Sequence, residues 1–137
     1  MGTYINKGNK AFRDIVSHEY VDKTSLIPLI NANLNSESRY SCVTRCRRFG
    51  KSMAAKMLCA YYDKSCDSRE LFRGLKAEQD KSFETYLNKY NVLYLDVTSF
   101  TARPEVRKNI VRVIQEEIIN ELKEAFPDVK YKDNSDL

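Results

Sequence analysis

The sequence predicts an α/β fold in which a parallel β-sheet lies between two layers of helices. Two segments are predicted to be buried strands: residues 40–44 are short, β-prone and free of Gly and Pro, and residues 91–97 are apolar along nearly their whole length. Each is followed by segments with helical periodicity, and such alternation implies parallel strands joined by right-handed crossovers. Because two strands leave the edges of a sheet without partners, we expect the sheet to be incomplete at the C-terminal end.

The first two helices are predicted from apolar spacing before residue 38. Phe12, Ile15 and Val16 recur at i, i+3 and i+4, which indicates a short helix. A second helix is expected to begin after Thr24 or Ser25, because either side chain can cap it. Its buried side is predicted to contain Leu26, Ile27, Leu29, Ile30 and Leu34.

A basic loop and a third helix are expected after the first strand. The alanine-rich sequence that opens at Lys51 has apolar residues at helical spacing and favours a helix. Shorter helices are predicted over residues 68–72, which end before Gly74, and over residues 82–89. After the second strand, a long helix is expected to open at Pro104, with an apolar side made of Val106, Ile110, Ile114, Ile118 and Leu122.

Composition excludes several classes of protein. Hydrophobic residues make up 42% and charged residues 31%, which is typical of a globular domain and not of a disordered chain. The 23 basic and 19 acidic residues give a net charge of +4, too small to predict nucleic-acid binding by itself. No apolar run approaches the roughly 18 residues of a membrane helix, so we expect no membrane partner.

The four cysteines are predicted to be reduced thiols. Cys42, Cys46, Cys59 and Cys66 contain no CxxC pair, and His18 is the single histidine, so a zinc site is not expected. Reduced thiols are typical of proteins in reducing compartments, and the sequence therefore predicts a cytoplasmic location.

Gly50-Lys51-Ser52 follows a predicted strand and opens a predicted helix, as the end of a P-loop does. In a P-loop, backbone N–H groups and the helix dipole hold the phosphates of a nucleotide. Here Lys51 is expected to reach the β- and γ-phosphates, and the Ser52 hydroxyl is expected to bind Mg²⁺. The pattern GxxxxGK[ST] covers residues 45–52, with Arg45 in place of its first glycine. It predicts a P-loop NTPase-like three-layer fold that binds ATP and Mg²⁺. The expected contact residues are Arg45, Cys46, Arg47, Arg48, Phe49, Gly50, Lys51, Ser52 and Met53.

The side chains of this loop leave alternatives open. The arginines at 45, 47 and 48 either neutralise phosphate, or contact a neighbouring subunit or nucleic acid, or face solvent. Phe49 is expected to pack beneath the loop.

Four segments resemble the AAA-ATPase-like family. Residues 45–52 (RCRRFGKS) resemble its RPRRFGKS motif, with Cys46 in place of the proline, and residues 20–24 resemble its YVDKT element. Residues 71–75 and 90–96 are similar to its LFxGL segment and to its next core strand. The resemblance implies a nucleotide-binding domain that often precedes a PD-(D/E)XK-type nuclease domain. A nuclease-like domain or other subunits are therefore expected partners.

The residues for ATP hydrolysis are not expected in this chain. Asp96 follows four apolar residues, as a Walker B aspartate does, and is a candidate Mg²⁺ ligand. In the resembling family, however, that aspartate belongs to a later IDEYD-like run, which does not occur before Leu137. We therefore expect the N-terminal part of an ATPase domain, with residues 1–38 as a helical lead-in and residues 39–137 as a partial nucleotide-binding core.

Two further points stay open from the sequence. The first is the role of Asp22 and Lys23, which either border the adenine side of the site or form a local turn.

The second is the function of the whole chain. It is alternatively a nucleotide-independent interaction module or a truncated remnant, because the first glycine and the Walker B strand are missing. A nucleic-acid binder that uses the basic loop is the third alternative.

Overall fold

A computed structural model describes residues 2–44 and 46–130 of the chain. In these residues no β-strand is formed, so the prediction of a three-layer parallel sheet is wrong. Two isolated β-bridges are present, an antiparallel one between Ile5 and Leu93 and a parallel one between Asp63 and Tyr90. The described residues also contain no helix that is long and apolar enough to cross a membrane.

The described part of the chain forms six α-helices and two 3₁₀ turns. Each helix predicted before residue 90 has a counterpart, but the one predicted over residues 82–89 is reduced to Phe83–Tyr86 and the one predicted over residues 68–72 is the 3₁₀ turn Arg69–Phe72. The last predicted helix begins at Ile110, because the residues after Pro104 form turns closed by bonds such as Val106 N to Arg103 O (3.1 Å). The α-helices are α1 Lys10–Val16, α2 Leu26–Asn31, α3 Lys51–Tyr62, α4 Phe83–Tyr86, α5 Val97–Thr101 and α6 Ile110–Ala125, and the 3₁₀ turns are Arg69–Phe72 and Lys76–Gln79.

The segment predicted as the first strand, residues 40–44, is extended and exposed. None of its backbone groups takes part in a hydrogen bond with another described residue. Tyr40 is 82% exposed, although the pattern predicts a buried strand. A strand is stable only when a neighbour accepts and donates its ladder hydrogen bonds, and the described chain places none beside this segment.

The second predicted strand, residues 91–97, pairs briefly with the N-terminal segment. Asn6 N donates to Val92 O (2.8 Å) and Tyr94 N donates to Tyr4 O (2.9 Å). Val92 and Tyr94 are half-buried, whereas Leu93 between them is exposed, as the alternation of an extended segment requires. The pairing ends there, because the chain turns into α5 at Val97.

The hydrophobic core lies between α1, α3, α4 and the 3₁₀ turn Arg69–Phe72. Phe72 is fully buried and lies among three other rings, with centroids 5.1 Å from Phe12, 5.7 Å from Tyr61 and 5.9 Å from Phe83. Met57 and Ile27 fill the space around these rings. Because aromatic side chains bury large apolar areas, this cluster supplies most of the hydrophobic stabilisation of the helical body.

The C-terminal end of α3 is held by buried polar groups. The fully buried Asp63 carboxylate accepts from Gly8 N (2.6 Å) and Ser65 N (2.8 Å). The Asn88 amide donates to Asp63 O (2.7 Å) and its oxygen accepts from Ser68 N (2.9 Å). Every buried polar side-chain atom of the described residues has a partner. These bonds fix the direction of α3, and with it the direction in which its N-terminus points.

The N-terminal segment also joins α6 to the rest of the molecule. The Glu121 carboxylate accepts from Tyr4 N (2.9 Å) and Ile5 N (3.0 Å). Glu117 accepts from Arg103 (2.9 Å) and from the Tyr4 hydroxyl. The Arg103 guanidinium and the Tyr4 hydroxyl hold the pKa of Glu117 below its ordinary value. We call these contacts the N-terminal clamp, defined by residues 4–5, 103, 117 and 121.

Candidate functional site

The loop before α3 brings a glycine, a lysine and a serine to the N-terminal end of a long helix. Gly50 has φ +76° and caps α3, and Arg48 is also left-handed at φ +67°. The first backbone hydrogen bond of α3 is donated by Ala54 N to Gly50 O (2.9 Å). The N–H groups of Ser52 and Met53 are therefore not used by the helix itself and lie at its positive end.

The charge at this end of α3 is positive. The first turn of α3, which the structure describes in full, contains no acidic residue. Lys51 Nζ donates to Cys46 O (3.0 Å), so the lysine folds back across the loop, and Ser52 is exposed beside it. Arg47 and Arg48 are exposed, and Arg45 lies outside the described residues. The concentration of cations at a helix N-terminus makes this region attractive to an anion.

Phe49 does not pack beneath the loop, contrary to the prediction. Its side chain is 62% exposed. The residues of α3 that enter the core begin at Met57, so a loop residue before Gly50 lies beyond the edge of that core. Phe49 instead lines a cleft of about 390 Å³, together with residues that include Val21, Lys23, Arg48 and Met53.

A second cleft, of about 270 Å³, also meets the loop. Phe49, Gly50 and Lys23 line both clefts, and Lys51 and Val43 line the second one. The loop therefore has open space on either side of Gly50, which a ligand at the helix N-terminus can use.

Asp96 lines neither of these clefts. Its carboxylate caps α5 by accepting from Thr98 N (3.0 Å) and from the Thr98 hydroxyl. Both hydrogen bonds lower the pKa of Asp96, and the bond from the Thr98 hydroxyl has the larger effect. Among the described residues no group of three Cys, His, Asp or Glu side chains is arranged to hold a metal ion. The structure therefore gives Asp96 a local role in capping a short helix.

The turn at residues 22–24 has the local role that the sequence left open. Asp22 Oδ1 accepts from Thr24 N (2.8 Å) and from Thr24 Oγ1 (2.7 Å), and Oδ2 accepts from Lys76 N (2.9 Å). Partial burial raises the pKa of Asp22, but these hydrogen bonds outweigh it and the net pKa lies below its ordinary value. Thr24 is fully buried, and its hydroxyl accepts from Ala77 N (3.0 Å).

The sequence left Lys23 open between the adenine side of the site and a local turn, and the structure brings its side chain to the loop before α3. Its Nζ donates to Phe49 O (2.7 Å), and a Cβ added to Gly50 would lie 2.5 Å from that nitrogen. The signal in the sequence was its position between Asp22 and Thr24, which form an Asx turn.

The family model described as a predicted AAA-ATPase (AAA-ATPase-like) matches residues 7–136. No curated protein and no solved structure matches the chain significantly.

Proposed function

The chain belongs to the AAA-ATPase-like family, and from that premise we propose that it binds ATP with Mg²⁺ at the loop of residues 45–52. Lys51 contacts the β- and γ-phosphates by swinging from the Cys46 carbonyl. The N–H groups of Ser52 and Met53 donate to phosphate oxygens, and the Ser52 hydroxyl binds Mg²⁺.

The observation that carries this proposal is the position of Gly50-Lys51-Ser52 at the start of α3. A 12-residue helix is long enough for its aligned peptide dipoles to favour an anion at the N-terminus. The left-handed Gly50 lets the backbone turn sharply into the helix at the point where a phosphate would approach. Neighbouring cations and the absence of acidic residues in the first turn act in the same direction.

The residues present fit Mg²⁺ only in the company of a nucleotide. Mg²⁺ takes oxygen ligands in octahedral geometry and is usually bound by one or two protein groups together with phosphates and waters. The exposed Ser52 hydroxyl is one such ligand, whereas the Asp96 carboxylate is engaged with Thr98. We therefore expect Mg²⁺ to bind together with ATP and not alone.

The experiment is a calorimetric titration of ATP·Mg²⁺ into the parent protein and the Lys51→Ala variant. We expect saturable binding by the parent and a loss of about tenfold or more in the variant, because a charge-assisted contact with phosphate disappears. Lys56→Ala is the matched control, since Lys56 lies on the same helix and lines a different cleft. Equal binding by the parent and Lys51→Ala would contradict the proposal.

A second candidate function is a nucleotide-independent interaction module. The observation that favours it is the exposure of apolar side chains in the extended segments, at Tyr40, Val43, Leu93 and Leu95. The same titration separates the two functions. A parent protein that binds no ATP but self-associates in sedimentation would support the interaction module.

We also propose a cytoplasmic location. The support is that all four cysteines are free thiols, two of them exposed at Cys42 and Cys46. Exposed thiols persist in reducing compartments and are oxidised elsewhere.

A further inference from the structure

Lys23 lies at the candidate phosphate site although it comes from a segment 27 residues before Gly50 in the chain. Its ammonium donates to Phe49 O (2.7 Å), the carbonyl directly before Gly50. It also lines both clefts that meet the loop. The side chain is therefore positioned beside the N-terminus of α3 from outside the GxxxxGK[ST] pattern.

The backbone beneath Lys23 is held on three sides. Asp22 ties the turn to Lys76 N, and Thr24 ties it to Ala77 N. Lys23 N itself donates to the Tyr20 hydroxyl (3.3 Å). A turn anchored in this way keeps the Cα of Lys23 in place, so that only its flexible four-carbon stem needs to move.

The ammonium of Lys23 has a neutral partner in this structure. No carboxylate of the described residues forms an ion pair with it. Phe49 O occupies one of its three N–H donors. A phosphate oxygen attracts the ammonium more strongly than a neutral carbonyl does, because the phosphate carries the opposite charge.

We propose that Lys23 is a second cationic ligand for the phosphates of the nucleotide, in addition to Lys51. The inference rests on the proposed nucleotide binding and extends it. Without nucleotide, Lys23 holds the loop through Phe49 O. With nucleotide, its ammonium turns to a phosphate oxygen at the N-terminus of α3, so Lys23 and Lys51 approach the phosphates from two different elements of the fold.

A purely structural role makes a different prediction. If Lys23 only held the loop through Phe49 O, a neutral donor would replace it. Gln provides an N–H donor without charge, whereas Arg keeps the charge. Substitution by each of these residues separates the charge from the hydrogen bond to the carbonyl.

The experiment measures the affinities of ATP, ADP and AMP, each with Mg²⁺, for the parent, Lys23→Gln and Lys23→Arg. We expect Lys23→Gln to lower the affinity for ATP about tenfold, the affinity for ADP less and the affinity for AMP least. The loss should follow the phosphate charge, because the removed ammonium contacts phosphate. Lys23→Arg should stay within about threefold of the parent. Lys56→Gln is the control for removal of a lysine elsewhere on the surface.

Two outcomes overturn the inference and are distinguishable. If Lys23→Gln binds ATP as the parent does while Lys51→Ala does not, Lys23 is no phosphate ligand and the proposed function stands. If the parent itself shows no saturable ATP binding, the proposed function fails and the inference fails with it.

A second measurement needs no variant. Lysines of the parent protein are acetylated with an N-hydroxysuccinimide ester, with and without saturating ATP·Mg²⁺, and each site is quantified by mass spectrometry. We expect ATP to protect Lys23 and Lys51 and to leave Lys56 unchanged. Unchanged acetylation of Lys23 at saturating ATP would overturn the inference.

Discussion

The helical body, residues 9–31 and 57–88, differs from the extended segments 40–44 and 91–96 in the source of its backbone hydrogen bonds. Each helix satisfies its N–H and C=O groups within a few residues of chain, and the apolar face then packs into the aromatic core. An extended segment has to find partners elsewhere, and residues 40–44 have none among the described residues. Apolar spacing therefore determines a helix far more completely than it determines a strand.

Phe72 and Phe49 show the same contrast with one residue type. Phe72 is fully buried among three rings, and Phe49 is mostly exposed at the loop. The helical body thus contributes stability, whereas the loop and the extended segments leave apolar and cationic groups available to ligands.

The largest effect is expected from removing one ring of the core. Phe72→Ala should lower the free energy of unfolding by about 3–5 kcal/mol, because a buried aromatic side chain leaves a cavity that its neighbours cannot fill. Phe49→Ala, the same change in the other region, should stay within about 0.5 kcal/mol. Urea unfolding followed by circular dichroism measures both. A comparable loss of unfolding free energy in the two variants would show that Phe49 is packed as Phe72 is. The contrast between the loop and the helical body would then not hold.

A smaller effect is expected at the two glycines Gly50 and Gly74, which have nearly the same φ of +76° and +75°. Alanine at either position should cost about 1–2 kcal/mol, because an L side chain is strained in the left-handed region. Only Gly50→Ala places a Cβ against Lys23 Nζ, whereas Gly74 has open space. We therefore expect similar melting temperatures for both variants, and weakened ATP binding for Gly50→Ala alone. If Gly50→Ala binds ATP as tightly as the parent does, the conformation of the loop at Gly50 is not needed for ATP binding.

The smallest of the three effects is expected at the aspartates of two Asx turns. Asp22→Asn places an NH₂ group against one of the N–H or O–H donors that the carboxylate accepts, which should cost about 1 kcal/mol at pH 7 after allowance for partial exposure. Asp96→Asn should cost less, because the partners of Asp96 are local and its carboxylate is exposed.

The pH dependence of Asp22→Asn checks the same assignment. The pKa of Asp22 is lower in the folded protein than in the unfolded chain. Its charge therefore stabilises the fold above the unfolded pKa, about 3.9, and this contribution is lost as the pH falls through the folded pKa. The difference in the free energy of unfolding between the parent and the variant should be largest at pH 7 and should shrink below about pH 4. A difference that does not change with pH would mean that the charge of Asp22 plays no part.

Local signals in the sequence predicted most of the helices, although α5 was not predicted and α6 begins at Ile110 and not at Pro104. Phe12 enters the core at the helical spacing that predicted its helix, and so do Met57 and Tyr61 of the helix that begins at Lys51. Leu29 is one exception, because α2 is short and this side chain is exposed to solvent. The family was also predicted from sequence, since four motifs occur in order and the family model matches residues 7–136.

The parts that could not be predicted depend on contacts far apart in sequence. The segments around Tyr40 and Leu93 have strand composition, but composition does not specify a neighbouring strand. Similarly, Lys23 reaches the loop only because Asp22 and Thr24 bind backbone groups more than 50 residues away. Local chemistry predicted the turn, and the fold alone determined which loop it meets.

The N-terminal clamp has a consequence for the order in which the chain folds. Tyr4 is separated from Glu117 by 113 residues and from Glu121 by 117 residues, whereas most contacts of the helical body join nearer segments. Closing so long a loop costs entropy before any contact offsets it, and we therefore expect the clamp to form late. Interactions that form after the rate-limiting step act mainly on the unfolding rate. The clamp therefore sets how long the folded molecule lasts, and the helical body sets how quickly it forms.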